Sequence, residues 1–277
     1  SRSGFDADAQ WSFFDIGPWG SGHQHNDKLH ISVAAYGRDL LVDAGRFAYT
    51  GAVADKFGKY ARGSQGHNIL LIDHKGQSAG PTLVSQPLSD SSFKITPAFD
   101  YASGSFSHFA DITGAATHTR AVLYMRGQFW IVIDRIVSDR PRTIEELWHW
   151  HPDNKVILEG LITKTANKRG NLAVIPLSRQ KFDITLVKGQ ETPEIQGWYS
   201  PEYNKYEPNT VAVYQTKIGN AATLVWLLLP SEGETPKIKA KLLSENEEEI
   251  KIAVKQKGEK LELTIPFMGS NKVISDK

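Results

Sequence analysis

Short apolar runs punctuated by turn formers recur along this chain almost without pause, and no stretch of helical period exceeds about three turns. Val, Ile, Phe, Trp and Tyr dominate the runs. Gly, Pro, Asn, Asp and Ser gather between them, as they do between strands. The pattern places strands over 11–16, 29–36, 39–42, 68–73, 92–95, 117–125, 128–136 and 143–150, and again over 172–176, 182–187, 210–215, 222–229, 237–243, 250–255 and 261–266. Arg126-Gly127-Gln128, between two strong runs, predicts a hairpin turn. Residues 51–61 suit a brief helix or an irregular loop. So many strands in one series predict an all-β fold: a large antiparallel, two-sheet β-sandwich (supersandwich-like) with few short helices. No repeat or low-complexity linker divides the chain, so 1–277 reads as a single domain. A minor C-terminal sub-sheet is possible at about 231–277, where Lys and Glu alternate with apolar residues and one face is wet.

Composition narrows the function classes. A hydrophobic fraction of 40% with 23% charged residues sustains a sizeable core and excludes disordered and fibrous chains. Thirty-two Lys and Arg against 31 Asp and Glu leave a net charge of +1, which argues against nucleic acid as a partner. No run of about 18 apolar residues offers a membrane span. Without cysteine there is no disulfide, thiolate nucleophile or cysteine metal site. The chain opens on Ser1-Arg2 with no Met and no apolar leader, so it reads as processed or as a piece of a longer protein. An active site would then be only half present.

The nine histidines are unevenly spread. His23, His25 and His30 fall close together, His67 precedes Asn68, and Asp43 lies between them. Imidazole and carboxylate are the zinc ligands left when cysteine is absent. His25, Asp43 and His67 are separated by 18 and 24 positions, which adjacent strands and their connections could close. Spacing alone leaves other readings open, because His-x-His is common by chance and Asp before Ala-Gly is more often a turn former. His30 and His74 match no ligand position. On a strand, Trp148 and Trp150 share one face, taken as core, and His149 and His151 share the other, which could line a sugar-facing groove. Trp198, Tyr199, Tyr203 and Tyr206 lie in a proline-punctuated loop and could stack on sugar rings.

Several blocks, in order, carry a family resemblance. Gly22-His23-Gln24-His25-Asn26-Asp27, then residues 36–45 (YGRDLLVDAG), Gly66-His67-Asn68, residues 124–135 and Leu147-Trp148-His149-Trp150-His151-Pro152 together resemble the heparinase II/III-like polysaccharide lyases. The similarity runs from about Ser3 to about Asp153, and more loosely to Pro230. In that family an α/α-toroid domain precedes an antiparallel β-sandwich and the cleft lies between them; this chain resembles the sandwich part alone. The resemblance implies one zinc ion, structural in role, held by His25, Asp43 and His67. His23 matches a histidine that takes part in catalysis. The family's catalytic tyrosine, and the residue that neutralises the substrate carboxylate, belong to the toroid, so the isolated chain is expected to be inactive.

A uronate lyase removes the proton at C5, next to a carboxylate, and expels the oxygen at C4; the carboxylate's charge must first be offset, and a base and an acid must be at hand. His23 is the expected proton-transfer residue. Tyr60 is a second catalytic candidate, and Arg46 and Tyr49 are candidates for substrate binding, in the loop between Asp43 and His67. The leading reading is the zinc-bearing sandwich of an exported bacterial lyase, periplasmic or secreted. It would act on an acidic polysaccharide, heparin- or heparan-sulfate-like or alginate-like, in partnership with its own toroid. A non-catalytic carbohydrate-binding or scaffold module is the alternative. A zinc hydrolase using Asp27 as base is a third.

Overall fold

The structure, a computed structural model, describes residues 1–18, 22–78, 88–256, 258–270 and 273–276. The first strands are β1 (Trp11–Phe14), β2 (Ile31–Ala35) and β3 (Arg38–Leu41), followed by helix α1 (Gly51–Arg62) and β4 (Leu70–Ile72). Next come β5 (Phe93–Ile95), β6 (Phe99–Phe106), β7 (Ala116–Met125), β8 (Phe129–Ser138) and β9 (Arg142–His149). β10 (Val156–Glu159), β11 (Ile162–Thr165), β12 (Asn171–Pro176), β13 (Asp183–Lys188), β14 (Trp198–Tyr199) and β15 (Glu207–Pro208) continue the series. β16 (Thr210–Ile218), β17 (Ala221–Ser231), β18 (Lys239–Glu245), β19 (Glu249–Gln256), β20 (Glu259–Pro266) and β21 (Ile274–Asp276) complete it.

The expected antiparallel sandwich is present. An eight-stranded sheet, β10-β11-β12-β17-β8-β7-β6-β5, faces a four-stranded one, β13-β16-β9-β4. The β7–β8 hairpin turns at Gly127, as expected, with Met125 opposite Phe129. The sheet β1-β2-β3 extends the four-stranded layer, because Leu41 bridges Trp150 and the Val42 amide donates to the His149 carbonyl at 2.9 Å. Between these layers lie Trp130, Val132, Trp148, Trp150, Tyr214, Trp226 and Leu228, and Trp148 and Trp226 meet edge to face at 5.7 Å. Aromatic side chains of this size each bury about 150–250 Å², which makes this the main store of hydrophobic stabilisation.

A third layer, β18-β19-β20-β21, covers the opposite face of the eight-stranded sheet. Ile131, Ile133, Val225 and Leu227 pack there against Ile250, Ile252, Leu263 and Ile265. β8 and β17 are therefore buried on both faces, and their near-continuous apolar runs follow from that. Among the described residues, no helix is long and apolar enough to cross a membrane.

Candidate metal centre and cleft

Three loops at one end of the outer layer converge. One leads into β2, one leaves β3, and one descends from α1 to β4. They carry His25 and Asp27, Asp43, and His67. The loop after β3 is shaped by Asp43 itself, whose Oδ1 accepts the Gly45 amide at 2.7 Å. Gly45 takes a left-handed φ of 88°, and a Cβ there would lie 2.8 Å from the Ser200 carbonyl oxygen, so glycine is required on both counts. Asp43 Oδ2 meets His67 Nδ1 at 2.8 Å. One ligand atom from each of His25, Asp27, Asp43 and His67 lies within 4.8 Å of every other. That is close to the span that bonds of about 2.0–2.2 Å to a single zinc ion require.

Electrostatics favour the same use. The Asp43 carboxyl is held below the usual carboxylate range: burial opposes ionisation, but the neighbouring His67 outweighs it. His67 responds in the opposite sense, its burial overcome by Asp43. Burial, with the charge of His67 behind it, pushes His25 down to about 4, so its imidazole is neutral near pH 7 and offers a lone pair. Burial raises Asp27, with Asp15 and Asp43 adding to the effect and His67 opposing it. His67 Nε2 is buried with no hydrogen-bond partner among the described residues. A buried orphaned nitrogen is costly unless something binds it. The donor set therefore fits a zinc-type ion, with Asp27 as a fourth oxygen ligand within reach.

Beneath the cluster lies a buried polar platform. Asn68 donates from Nδ2 to the Ile31 and Val42 carbonyls, and its Oδ1 accepts the His149 amide at 2.6 Å. Its own amide donates to His30 Nδ1 at 2.9 Å. Arg120, fully buried, donates from Nη1 to the Leu29 and Asn68 carbonyls at 2.9 and 2.6 Å. Its other nitrogens bond Asp134 and Glu146 at 2.6 Å. Leu29 holds a positive φ of 75°, which Arg120 helps to pin. Sequence reasoning missed Asn68 and Arg120; the only local signal was Asn68's position next to His67.

His23 is exposed and its ring meets Tyr49 at 5.2 Å, edge on. Arg46 lies over Tyr49, its Cζ 4.2 Å from the ring centroid. These three expected cleft residues share one surface. Tyr60 does not join them: it is 4% exposed, packs with Phe47 and Phe57, and donates its hydroxyl to the Trp198 carbonyl. Burial pushes that phenol up, so the expected cleft-facing tyrosine is a core residue of α1. His149 is corrected likewise. It bonds Asn68 and Gln65 in the interior and lines no groove, whereas Trp148 and Trp150 are core as expected. His151, half-buried, packs on Tyr199 at 5.1 Å, and His74 pairs with Glu145. Trp198 and Tyr206 close over Phe57. Of the loop's aromatics, Tyr203 is the most exposed, and it lies 6.0 Å from Tyr49.

Layered antiparallel sheets with histidines and carboxylates gathered at one end, beside an exposed His and Tyr and a half-buried Arg, define a β-sandwich with a candidate functional site. A family model described as "Heparinase II/III-like, C-terminal" matches residues 3–253, and the chain belongs to that family. A heparin-sulfate lyase of Pedobacter heparinus is 22% identical over 280 residues, covering 99% of this chain and 38% of that protein. The crystal structure of heparan sulfate lyase HepC from the same organism superposes with a TM-score of 0.79 at 18% identity, over 98% of this chain and 41% of that one. A crystal structure of heparinase III superposes with a TM-score of 0.72 at 18% identity, over 96% and 40% of the two chains. This chain thus spans about two-fifths of the length of these relatives.

Proposed function

We propose that this chain is the zinc-containing β-sandwich part of a polysaccharide lyase that cleaves uronic-acid glycans by β-elimination. Heparin- or heparan-sulfate-like chains are favoured over alginate by the names of the relatives. The observation that carries the proposal is the surface made by exposed His23 and Tyr49 with half-buried Arg46, beside the His25, Asp43 and His67 cluster. An α/α-toroid domain of the same protein would form the other wall of the cleft, and the protein would be exported, periplasmic or secreted.

In the elimination, the C5 proton leaves to a base, its electron pair forms the C4–C5 double bond, and the C4–oxygen bond breaks as an acid protonates the leaving oxygen. His23, exposed at the cleft edge, is assigned one of these proton transfers. Arg46 offsets the substrate's carboxylate or sulfate charge, held in place by Tyr49. His25, Asp43 and His67 would hold the ion with Asp27 within reach, and the ion would tie together the loops that present His23. Asp27 lies among these candidate ligands, an arrangement that suits a ligand better than the free base of a hydrolase.

The test uses the complete protein with heparan sulfate, followed by the ultraviolet absorbance of the unsaturated product. His23→Ala should lower turnover by about 10²–10⁴-fold while leaving metal content unchanged. Turnover close to wild type would remove His23 from the mechanism. Glycan binding without unsaturated product would instead favour the carbohydrate-binding module, and products lacking the new absorbance would point to hydrolysis. Elemental analysis should find about one zinc in the wild type and none in His25→Ala or Asp43→Ala.

A further inference from the structure

A groove of about 410 Å³ runs along the solvent side of α1 and opens beside His23. Gly51, Ala54, Gly58 and Arg62 recur at helical spacing on one wall, and Arg46 and Tyr49 form the other. From Gly51 to Arg62 the helix rises about 16 Å, room for more than one sugar ring. The Asn26 amide donates to the Arg62 carbonyl at 2.8 Å, which ties that end of the groove to the loop bearing His23 and His25.

Two observations mark it as a built seat for an anion. Arg120, Arg126, Arg140, Arg142 and Arg169 each hold a carboxylate. Arg46 and Arg62, like Arg2, Arg38, Arg135 and Arg179, form no ion pair among the described residues, although Asp55 also lines the groove; what sets Arg46 apart is an Nε that is buried without a hydrogen-bond partner. A guanidinium left without a carboxylate partner can pair two of its N–H groups with two oxygens of a carboxylate or a sulfate. The second observation is Gly58, in the middle of α1. Glycine there costs about 1 kcal/mol relative to alanine, yet a Cβ would meet nothing within 4 Å. Nothing inside the chain requires its absence, and a side chain at 58 would project into the groove.

We propose that this groove binds a sulfate or carboxylate of the glycan on sugars flanking the bond that is cut, with Arg62 and Arg46 as its two anion-binding residues. The identity of the ligand rests on the uronate-glycan reading above. The test measures the dissociation constant of a fluorescent heparan-sulfate oligosaccharide for the complete protein, with lyase turnover followed in parallel. Arg62→Gln should weaken binding about tenfold, with partial recovery in Arg62→Lys. Gly58→Leu should weaken it comparably while the melting temperature holds or rises, because leucine is the better helix former. A desulfated probe that no longer distinguishes Arg62→Gln from wild type assigns the contact to sulfate; a carboxyl-reduced probe that does so assigns it to carboxylate. Binding of Arg62→Gln and Gly58→Leu within about twofold of wild type, or no binding by the wild type, overturns the proposal. Binding that depends on Arg62 without any unsaturated product would instead sink the lyase reading and leave the subsite standing.

Discussion

Arg120 and Gly45 hold the candidate site without belonging to the ligand set. Arg120 joins the carbonyls of Leu29 and Asn68, each next to a segment that carries ligands, to two buried carboxylates. Arg120→Met leaves Asp134 and Glu146 without their cation, so a loss of about 3–5 kcal/mol is expected in urea unfolding at unchanged m-value. Gly45→Ala meets both a left-handed φ and the Ser200 carbonyl. It should cost at least about 1–3 kcal/mol and loosen Asp43, read as weaker zinc retention during dialysis against a chelator. Residue type and spacing left the roles of His25, Asp43 and His67 open; the block resemblance singled them out together, and the fold brings them within reach of one another. Asp27 was not assigned to that set, since only the folded loop turns its carboxyl inward, and the Tyr49–His23 contact has no local signature; the burial of Tyr60 had one, the helical spacing of Val53, Phe57, Tyr60 and Ala61.

β9 shows what an element's two faces can conceal. Glu146 points inward to Arg120, whereas His149 lies under the Gln65–Asn68 loop, and both are fully buried. Burial pushes His149 down to about 3 and, on the neighbouring platform, His30 also to about 3. An unfolded histidine near 6.5 therefore takes up a proton that the folded one refuses. This stability is present above about 6.5 and is lost as pH falls toward 3, at about 1.4 kcal/mol per pH unit per site. Burial raises Glu146, with Asp134 adding to the effect and Arg120 opposing it, so its contribution is present below its unfolded value and is lost as pH rises through the raised one. Stability should therefore pass through a maximum between an acid limb set by the histidines and an alkaline limb set by Glu146, as pH-resolved denaturation would show. His149→Gln should flatten the acid limb and Glu146→Gln the alkaline one. The alternating and apolar strands, the hairpin at Gly127 and the brief helix were all visible in the sequence. β6 was missed, its apolar run being interrupted by Ser103, Gly104 and Ser105; Gly104 is there because a Cβ would press on Leu29 at 2.9 Å. β10 and β11 were missed as a short hairpin about Gly160 whose edge strand, β10, has no buried residue and whose inner strand buries threonines, Thr163 and Thr165, rather than apolar side chains.

For the whole molecule, the third layer matters most. Ile250, Ile252, Leu263 and Ile265 cover one face of the central sheet, so trimming the chain before residue 239 should expose Ile131, Ile133, Val225 and Leu227 and cause aggregation, detectable by light scattering. Ile252→Ala should cost about 2–5 kcal/mol in the same unfolding assay, because the cavity it leaves is walled by two sheets. Strand periodicity, absence of cysteine, balanced charge and the supply of imidazole and carboxylate side chains were determined by the sequence itself, since each depends on residue type and on near neighbours. Which faces are buried twice, which tyrosine stands exposed beside His23, and how the Arg120 guanidinium reaches carbonyls 91 and 52 residues away were decided only by tertiary structure. Those contacts join residues whose separation along the chain carries no periodic trace, and they exist only once the packed layers have set the distances between them.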